Sequence, residues 1–283
     1  MFQLLNPATR TPRAFQFLRE TDTIEPEEAH CMKTSRIELW TSLFVFAFFP
    51  AAAEAQNVFR LYGGLAPTTY KISFDQNSPY GSVTAKSNYT AVNAGLTWIS
   101  PKGIYVDFAA QQSLSATHDL WSSVTSEKQD FSHDSYTLTG GYTHAFAQGA
   151  SVSGFGGYTA SSTVLHAPRP PLTFSKDTFD SQGIFVGAGG GIPALRGQFS
   201  GSVAIAGMKG KWKNDNGFSN TADTTFGFSL GGAYTYPITP ALGVTADLRY
   251  QQYKYNFGVV NTASAYTVTE KITSLGVRLG YRF

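Results

Sequence analysis

The last nine residues alternate without exception. Leu275, Val277, Leu279, Tyr281 and Phe283 are apolar or aromatic, and Gly276, Arg278, Gly280 and Arg282 lie between them. A period of two is the period of a strand, so one face is greasy and the other carries two arginines. A soluble core would accept the first face and leave the terminal Phe bare. A strand set between lipid and a polar lumen accommodates both faces and places aromatics at the interface.

The other end of the chain points to export. After Met32, Lys33 and Arg36 form a short basic region, Leu43 to Phe49 are unbroken apolar residues, and Pro50 interrupts them. Ala53 and Ala55 then frame an A-x-A site before Gln56. That is the layout of a secretory signal peptide, with cleavage expected between Ala55 and Gln56. The apolar run is far short of the ~20 residues that a spanning helix needs. The chain therefore divides into three: residues 1–31, a mis-assigned start or leader extension; residues 32–55, the signal peptide; and residues 56–283, the folded part.

Composition changes at the same boundary. All 28 glycines and 15 tyrosines lie beyond residue 55, and Cys31, the one cysteine, lies before it. The folded part thus has no disulfide and no thiolate chemistry. It carries 16 Lys and Arg against 12 Asp and Glu, too mild an excess to point to nucleic acid. Beyond the signal no apolar run reaches the ~18 residues of a helical span.

Scanning for alternation gives about ten runs, each near the length that a tilted strand needs to cross a bilayer. Their outward candidates are Phe59, Leu61 and Leu65; Val92 to Trp98; Ile104 to Phe108; Tyr136 to Phe146; a weak fifth with Val152 and Tyr158; Ile184 to Ile192; Phe199 to Ile205; Phe226 to Tyr236; Leu242 to Tyr250; and the tail. Without the first or fifth run the count is eight. Short connections at 100–103, 147–149, 193–197 and 237–240 alternate with longer polar ones near 75–87, 118–130, 164–178, 212–221 and 258–267. Short turns on one rim and long loops on the other put the turns and both termini in the periplasm. The runs repeat every ~45 residues, which overlaps the spacing of propeller blades, but a blade needs four short strands where this chain offers two long ones.

The expected fold is all-β: a transmembrane antiparallel up-and-down barrel. Residues 56–283, with their Phe-terminated closing strand, resemble the small outer-membrane β-barrel proteins of Gram-negative bacteria, of the opacity-protein or porin-like surface-protein type. The resemblance implies residence in the outer-membrane bilayer and insertion by the barrel-assembly machinery, with Tyr281 and Phe283 as the assembly signal. It names no ligand or solute.

On the inward phase lie small and polar residues together with charges: Arg60, Asp107, Asp247, Arg249, Arg278 and Arg282. Opposite charges in a narrow lumen are expected to pair, because an unpaired buried charge is costly; Asp247 and Arg278 fall at similar depth on adjacent strands. The function expected is a structural or surface-interaction role with a narrow charge-lined lumen, and the partner is an extracellular ligand. The alternative is a small passive channel for small solutes. A rim protease is the remote third reading, because some ten-stranded outer-membrane barrels carry Asp and His at the outer rim. Its candidates are His118-Asp119 and His133-Asp134, with no clear second acidic pair, so no enzyme activity is expected. His144 reads as interfacial, and His166 as an isolated loop residue among prolines. Gly187 to Gly191 lacks the Lys-Ser/Thr of a phosphate loop. No cofactor and no metal are expected.

Overall fold

The computed structural model describes residues 57–78, 81–114, 116–118, 129–169, 173–215, 217–259 and 265–283. The proposed signal site at Ala53 and Ala55 lies outside these residues, as does Asp119. The strands are β1 (Val58–Phe74), β2 (Thr84–Ile99), β3 (Ile104–Ser113), β4 (Ala116–His118), β5 (Gln129–Ala145), β6 (Ser151–Arg169), β7 (Thr173–Ala194), β8 (Gly197–Asn214), β9 (Ser219–Thr221), β10 (Thr225–Pro237), β11 (Leu242–Phe257) and β12 (Tyr266–Arg282). Ten long strands pair antiparallel with their neighbours, and β12 closes on β1 through pairs from Arg60↔Arg282 to Phe74↔Val268. The two three-residue strands are additions, β4 against β5 and β9 against β8. The result is a closed ten-stranded barrel, and closure leaves no edge strand to aggregate.

Most strands are longer than a membrane requires. β7 has 22 residues and β6 has 19, whereas a tilted strand crosses a bilayer in about 9–11. Much of what the sequence suggested as loop is strand: β2 begins at Thr84, β6 runs on to Arg169, β7 resumes at Thr173, and β8 continues to Asn214. His166, expected in a loop, sits in β6 opposite Lys176. The weak fifth run is β6, paired with β7 along its whole length and with β5 from Ser151 to Leu165.

The physical reason is an inversion of pattern halfway along the wall. In the half nearest the short turns, apolar residues point outward and are exposed: Leu61 and Leu65 on β1, Ile184 and Val186 on β7, and Leu275, Val277 and Leu279 on β12. In the other half the same outward phase carries Thr69, Lys71 and Ser73 on β1 and Thr269, Lys271 and Thr273 on β12. The inward phase changes in the opposite sense, from Arg60 and Gly64 to buried Tyr70, Ile72 and Phe74. One half is therefore a membrane wall around a polar lumen. The other is built like a soluble barrel around a hydrophobic core, and stands beyond the apolar girdle.

The turns on the girdle side are tight. Gly103 and Gly149 take φ of 85° and 81°, and a Cβ at Gly103 would lie 2.2 Å from the Thr143 carbonyl oxygen. The β7–β8 turn places Leu195 and Arg196 at φ of 49° and 65°. Left-handed conformation at both central residues matches the twist of a two-residue hairpin, at a cost that Asn-Gly would avoid.

Candidate functional site

The inward faces of the membrane half enclose a polar chamber. It is seen as two adjoining cavities of about 450 Å³ and 290 Å³ that share Thr97, Asp107, Asp247, Arg249 and Arg278. One wall carries hydroxyls and glycines, such as Thr139, Ser153, Ser202 and Gly231. The opposite wall, from β1, β11 and β12, carries the arginines.

Two carboxylates organise those arginines. Asp107 accepts from the Thr97 hydroxyl at 2.6 Å and from the Tyr62 hydroxyl at 3.2 and 3.3 Å. The Arg278 guanidinium lies 5.2 Å from the Tyr62 ring centre, within cation–π range. Arg278 Nε stands 2.9 Å from Asp247 Oδ2 but off the N–H axis, an ion pair without an aligned hydrogen bond. The two residues are diagonal neighbours, because Asp247 faces Gly276 and Arg278 faces Thr245. Gly276 makes the diagonal contact feasible: a Cβ there would come within 2.7 Å of the Asp247 carboxylate. Gly64 serves Arg278 likewise, since a Cβ would lie 2.9 Å from its side-chain Cγ.

The remaining arginines have no carboxylate partner among the described residues. Arg60 donates to the Thr245 hydroxyl at 3.1 Å. Arg249 lines both cavities, flanked on neighbouring strands by Gly231 and Ser274. Arg282 lies opposite Arg60, exposed at the strand end. The chamber holds Arg60, Arg249 and Arg278 against Asp107 and Asp247, a cationic excess in which Arg278 alone of the three has a carboxylate ion-pair partner among the described residues. Pairing at Asp247 and Arg278 can be measured. Asp247→Asn and Arg278→Gln should each cost about 1–3 kcal/mol in urea unfolding from liposomes, because each leaves a partly buried charge alone. The double variant should cost less than the two added together. Strict additivity would mean the pair contributes nothing.

Beyond the chamber the bore is filled. Trp212 of β8 meets Phe74 of β1 edge-on at 5.1 Å and Phe179 of β7 at 5.6 Å. Phe179 meets Tyr255 of β11 at 4.9 Å, and Tyr70 of β1 meets Phe131 of β5 at 5.3 Å. Trp212 and Phe179 are directly opposite on the neighbouring strands β8 and β7, whereas the other three contacts join strands that are not neighbours and reach across the barrel. The indole N–H of Trp212 donates to the buried Asp177 at 2.7 Å, so the largest ring is both packed and tethered.

Glu270 and His133 also lie inside this aromatic plug, outside the membrane-spanning half. Glu270 is fully buried; Oε2 accepts from the Tyr255 hydroxyl at 3.1 Å, and Oε1 has no aligned partner. Burial lifts its carboxyl to about 7, against the pull of the Tyr70 and Tyr255 hydroxyls. His133 is buried with Nδ1 2.8 Å from the Thr163 hydroxyl, and burial lowers its pKa to about 4. The neighbouring Asp134 points to the opposite face of β5, so His133-Asp134 is not a dyad. The side chain of His118 lies outside the described residues. His144 is exposed at the girdle edge with its ring 4.9 Å from Phe146. Gly187, Gly189 and Gly191 lie inside β7; a Cβ at Gly187 would meet the Phe155 ring at 2.5 Å.

At the closing seam, Phe283 stacks on Phe59 at 6.2 Å and lies 6.0 Å from Tyr281, all outward-facing. Sequence reasoning missed Tyr62, Trp212 and Glu270. Each falls on the inward phase of a strand, and the period-two count from an outward residue of the same strand (Leu61, Ile205 and Leu275, respectively) would have placed it there.

No family model and no curated protein matches this chain. Among solved structures, it is similar to the outer-membrane protease OmpT from Escherichia coli, at 12% identity and TM-score 0.57, over 83% of this chain and 99% of that one. It also aligns with the translocator domain of the autotransporter NalP from Neisseria meningitidis, at 14% identity and TM-score 0.42, over 78% and 88%. The attachment invasion locus protein Ail of Yersinia pestis aligns at 13% identity and TM-score 0.35, over 81% and 99%. The chain has the fold of an outer-membrane β-barrel. Its exposed apolar girdle is the surface by which this outer-membrane barrel meets lipid.

Proposed function

We propose that this outer-membrane barrel is a sealed, non-enzymatic surface protein, with its working face on the strand extensions and hairpins beyond the girdle. The observation that carries this reading is the aromatic plug, whose Phe74–Trp212 and Phe179–Tyr255 contacts cross the bore. In this reading the short turns and both termini face the periplasm, and the partner is an extracellular ligand. The barrel-assembly machinery takes hold of the Tyr281–Phe283 end. Against a rim protease stands the burial of His133 with Asp134 on the other side of the wall.

The test has two arms. Purified barrel in a planar bilayer should be electrically silent; steady conductance would overturn the seal. In whole cells, Asn77→Cys in the β1–β2 hairpin should react with a membrane-impermeant maleimide, while Lys102→Cys in the β2–β3 turn should not. The reverse pattern would invert the orientation. The folded part contains no native cysteine to confuse the labelling.

A second reading, a small-solute channel, is favoured by the polar chamber alone. It requires the plug to move, and the cationic excess would then favour anions.

A further inference from the structure

The outward face above the girdle is electrically lopsided. On β2, β1, β12 and β11 its charged residues are Lys86, Lys71, Lys271 and Lys254, with no acid on that face within the strands; Asp75, just past the end of β1, is tied to the Thr267 N–H. Lys71 pairs directly with Lys86 on one side and with Lys271 on the other. Three ammonium groups therefore lie in one row on successive strands spaced about 4.8 Å apart. Lys254 faces Thr269, one outward step nearer the loops. Like charges placed directly opposite one another destabilise a sheet, and none of the four lysines makes an ion pair with a described residue. Across the barrel the situation differs: Asp130, Asp134 and Asp180 share the outward face with the lysines there, and Lys213 reaches Asp180 at 2.6 Å.

Two further features lie directly beneath the row. The outward apolar series ends at Leu65 on β1, Val92 on β2 and Leu275 on β12, four to six residues below the lysines. At about 3.3 Å per residue and a tilt near 40°, that is roughly 10–15 Å along the membrane normal. A lysine reaching back down its strand brings its ammonium to the headgroup layer. Between the two levels lies an open groove of about 620 Å³ across the same four strands, with Leu114 added from the end of β3. Leu114, Leu248 and Leu275 make its apolar side, and Thr69, Asn88 and Thr273 its polar side.

We propose that this face docks the phosphorylated glycolipid of the leaflet in which the loop end of the barrel stands. Phosphates on its saccharide headgroup neutralise the Lys86–Lys71–Lys271 row. Its sugar hydroxyls meet the Thr and Asn side chains, and the roots of its acyl chains lie along the leucines. Charge complementarity selects the phosphate, and the amphipathic groove selects a glycolipid over a free anion. A bound phosphate offsets repulsion that the bare row would otherwise carry.

The proposal rests on the orientation given above for its place in the cell, and the test does not depend on it. Barrel is folded into phosphatidylcholine vesicles with and without rough-type lipopolysaccharide, with the same glycolipid after enzymatic dephosphorylation, or with phosphatidylglycerol. Thermal unfolding is followed by the heat-modifiable gel shift. The phosphorylated glycolipid should raise the midpoint by roughly 6–12 °C, the effect of three lysines near an anionic surface on a barrel of this size, and the dephosphorylated form should give little. Lys71→Gln/Lys86→Gln/Lys271→Gln should lose the rise, while Lys209→Gln/Lys211→Gln on β8 should keep it. A rise that survives in the triple variant, or with dephosphorylated glycolipid, overturns the site. An equal rise with phosphatidylglycerol overturns the glycolipid as occupant. All five substitutions are at outward-facing positions, and the midpoint in plain phosphatidylcholine reports whether each variant folds. Failure of the cell-labelling experiment with success here would move the site to the other leaflet without removing it.

Discussion

Replacing Trp212 with Ala, together with Phe74→Ala, should turn a silent barrel into a conducting one. The two rings meet across the bore and stand between the polar chamber and the loop end. Removing both deletes most of the contact there and leaves Asp177, which now bonds the indole N–H, facing the new opening. Trp212→Ala alone should also cost about 3–5 kcal/mol in urea unfolding, the usual penalty for emptying a packed aromatic site. Trp212→Phe should cost less, because ring packing persists and only the tether to Asp177 is lost. Currents through the double variant should show anion preference in their reversal potential, since three arginines face two aspartates in the chamber. Equal currents from wild type and variant would show that the plug does not seal the bore. A silent but folded variant would place the seal elsewhere.

Glu270→Gln should stabilise the barrel at pH 8 by roughly 3 kcal/mol and have little effect at pH 4. The Glu270 carboxyl titrates near 7 in the fold against an ordinary 4.5, because burial penalises its charged form. Its contribution is therefore intact below about 4.5 and is lost as pH rises through about 7. Glutamine resembles the protonated acid and accepts from Tyr255 without that loss. His133 acts in the opposite sense: its pKa is lowered from 6.5 to about 4, so its contribution is intact above 6.5 and lost as pH falls through 4. Between pH 4.5 and 6.5 the two slopes cancel, and these groups leave wild-type stability level. The variant should instead gain stability steadily over that interval, with His133 alone setting the slope. Urea midpoints in liposomes at pH 4, 5, 6 and 8 measure both curves. A gain of equal size at pH 4 and pH 8 would assign the effect to packing, not ionisation.

The membrane half of this barrel was legible from residue order. Period-two alternation marks a strand wherever one face meets lipid, and the runs from Phe59 to Phe283 assigned the outward phase on every wall. The short turns were legible too, because Gly103 and Gly149 sit where the chain must take positive φ. The loop half was not, although it alternates just as strictly. There Tyr70, Ile72 and Phe74 are apolar on the inward phase, while Thr69, Lys71 and Ser73 are polar on the outward one. A search for lipid-facing residues ends where the apolar set changes sides, and what remains resembles polar loop.

Sequence alone determined the β class, the closing strand, the outward girdle and the identity of the charges on the inward phase. Those follow from local rules, since side chains alternate across any strand and lipid accepts only one kind. Only the tertiary structure decided what these residues meet. That Trp212 faces Phe74, that Arg278 takes Asp247 on the diagonal, and that Lys71 lies between two other lysines all depend on register and closure. Register is set by the whole ring of pairings at once, and a shift by one residue on any strand would send its side chains to the other face.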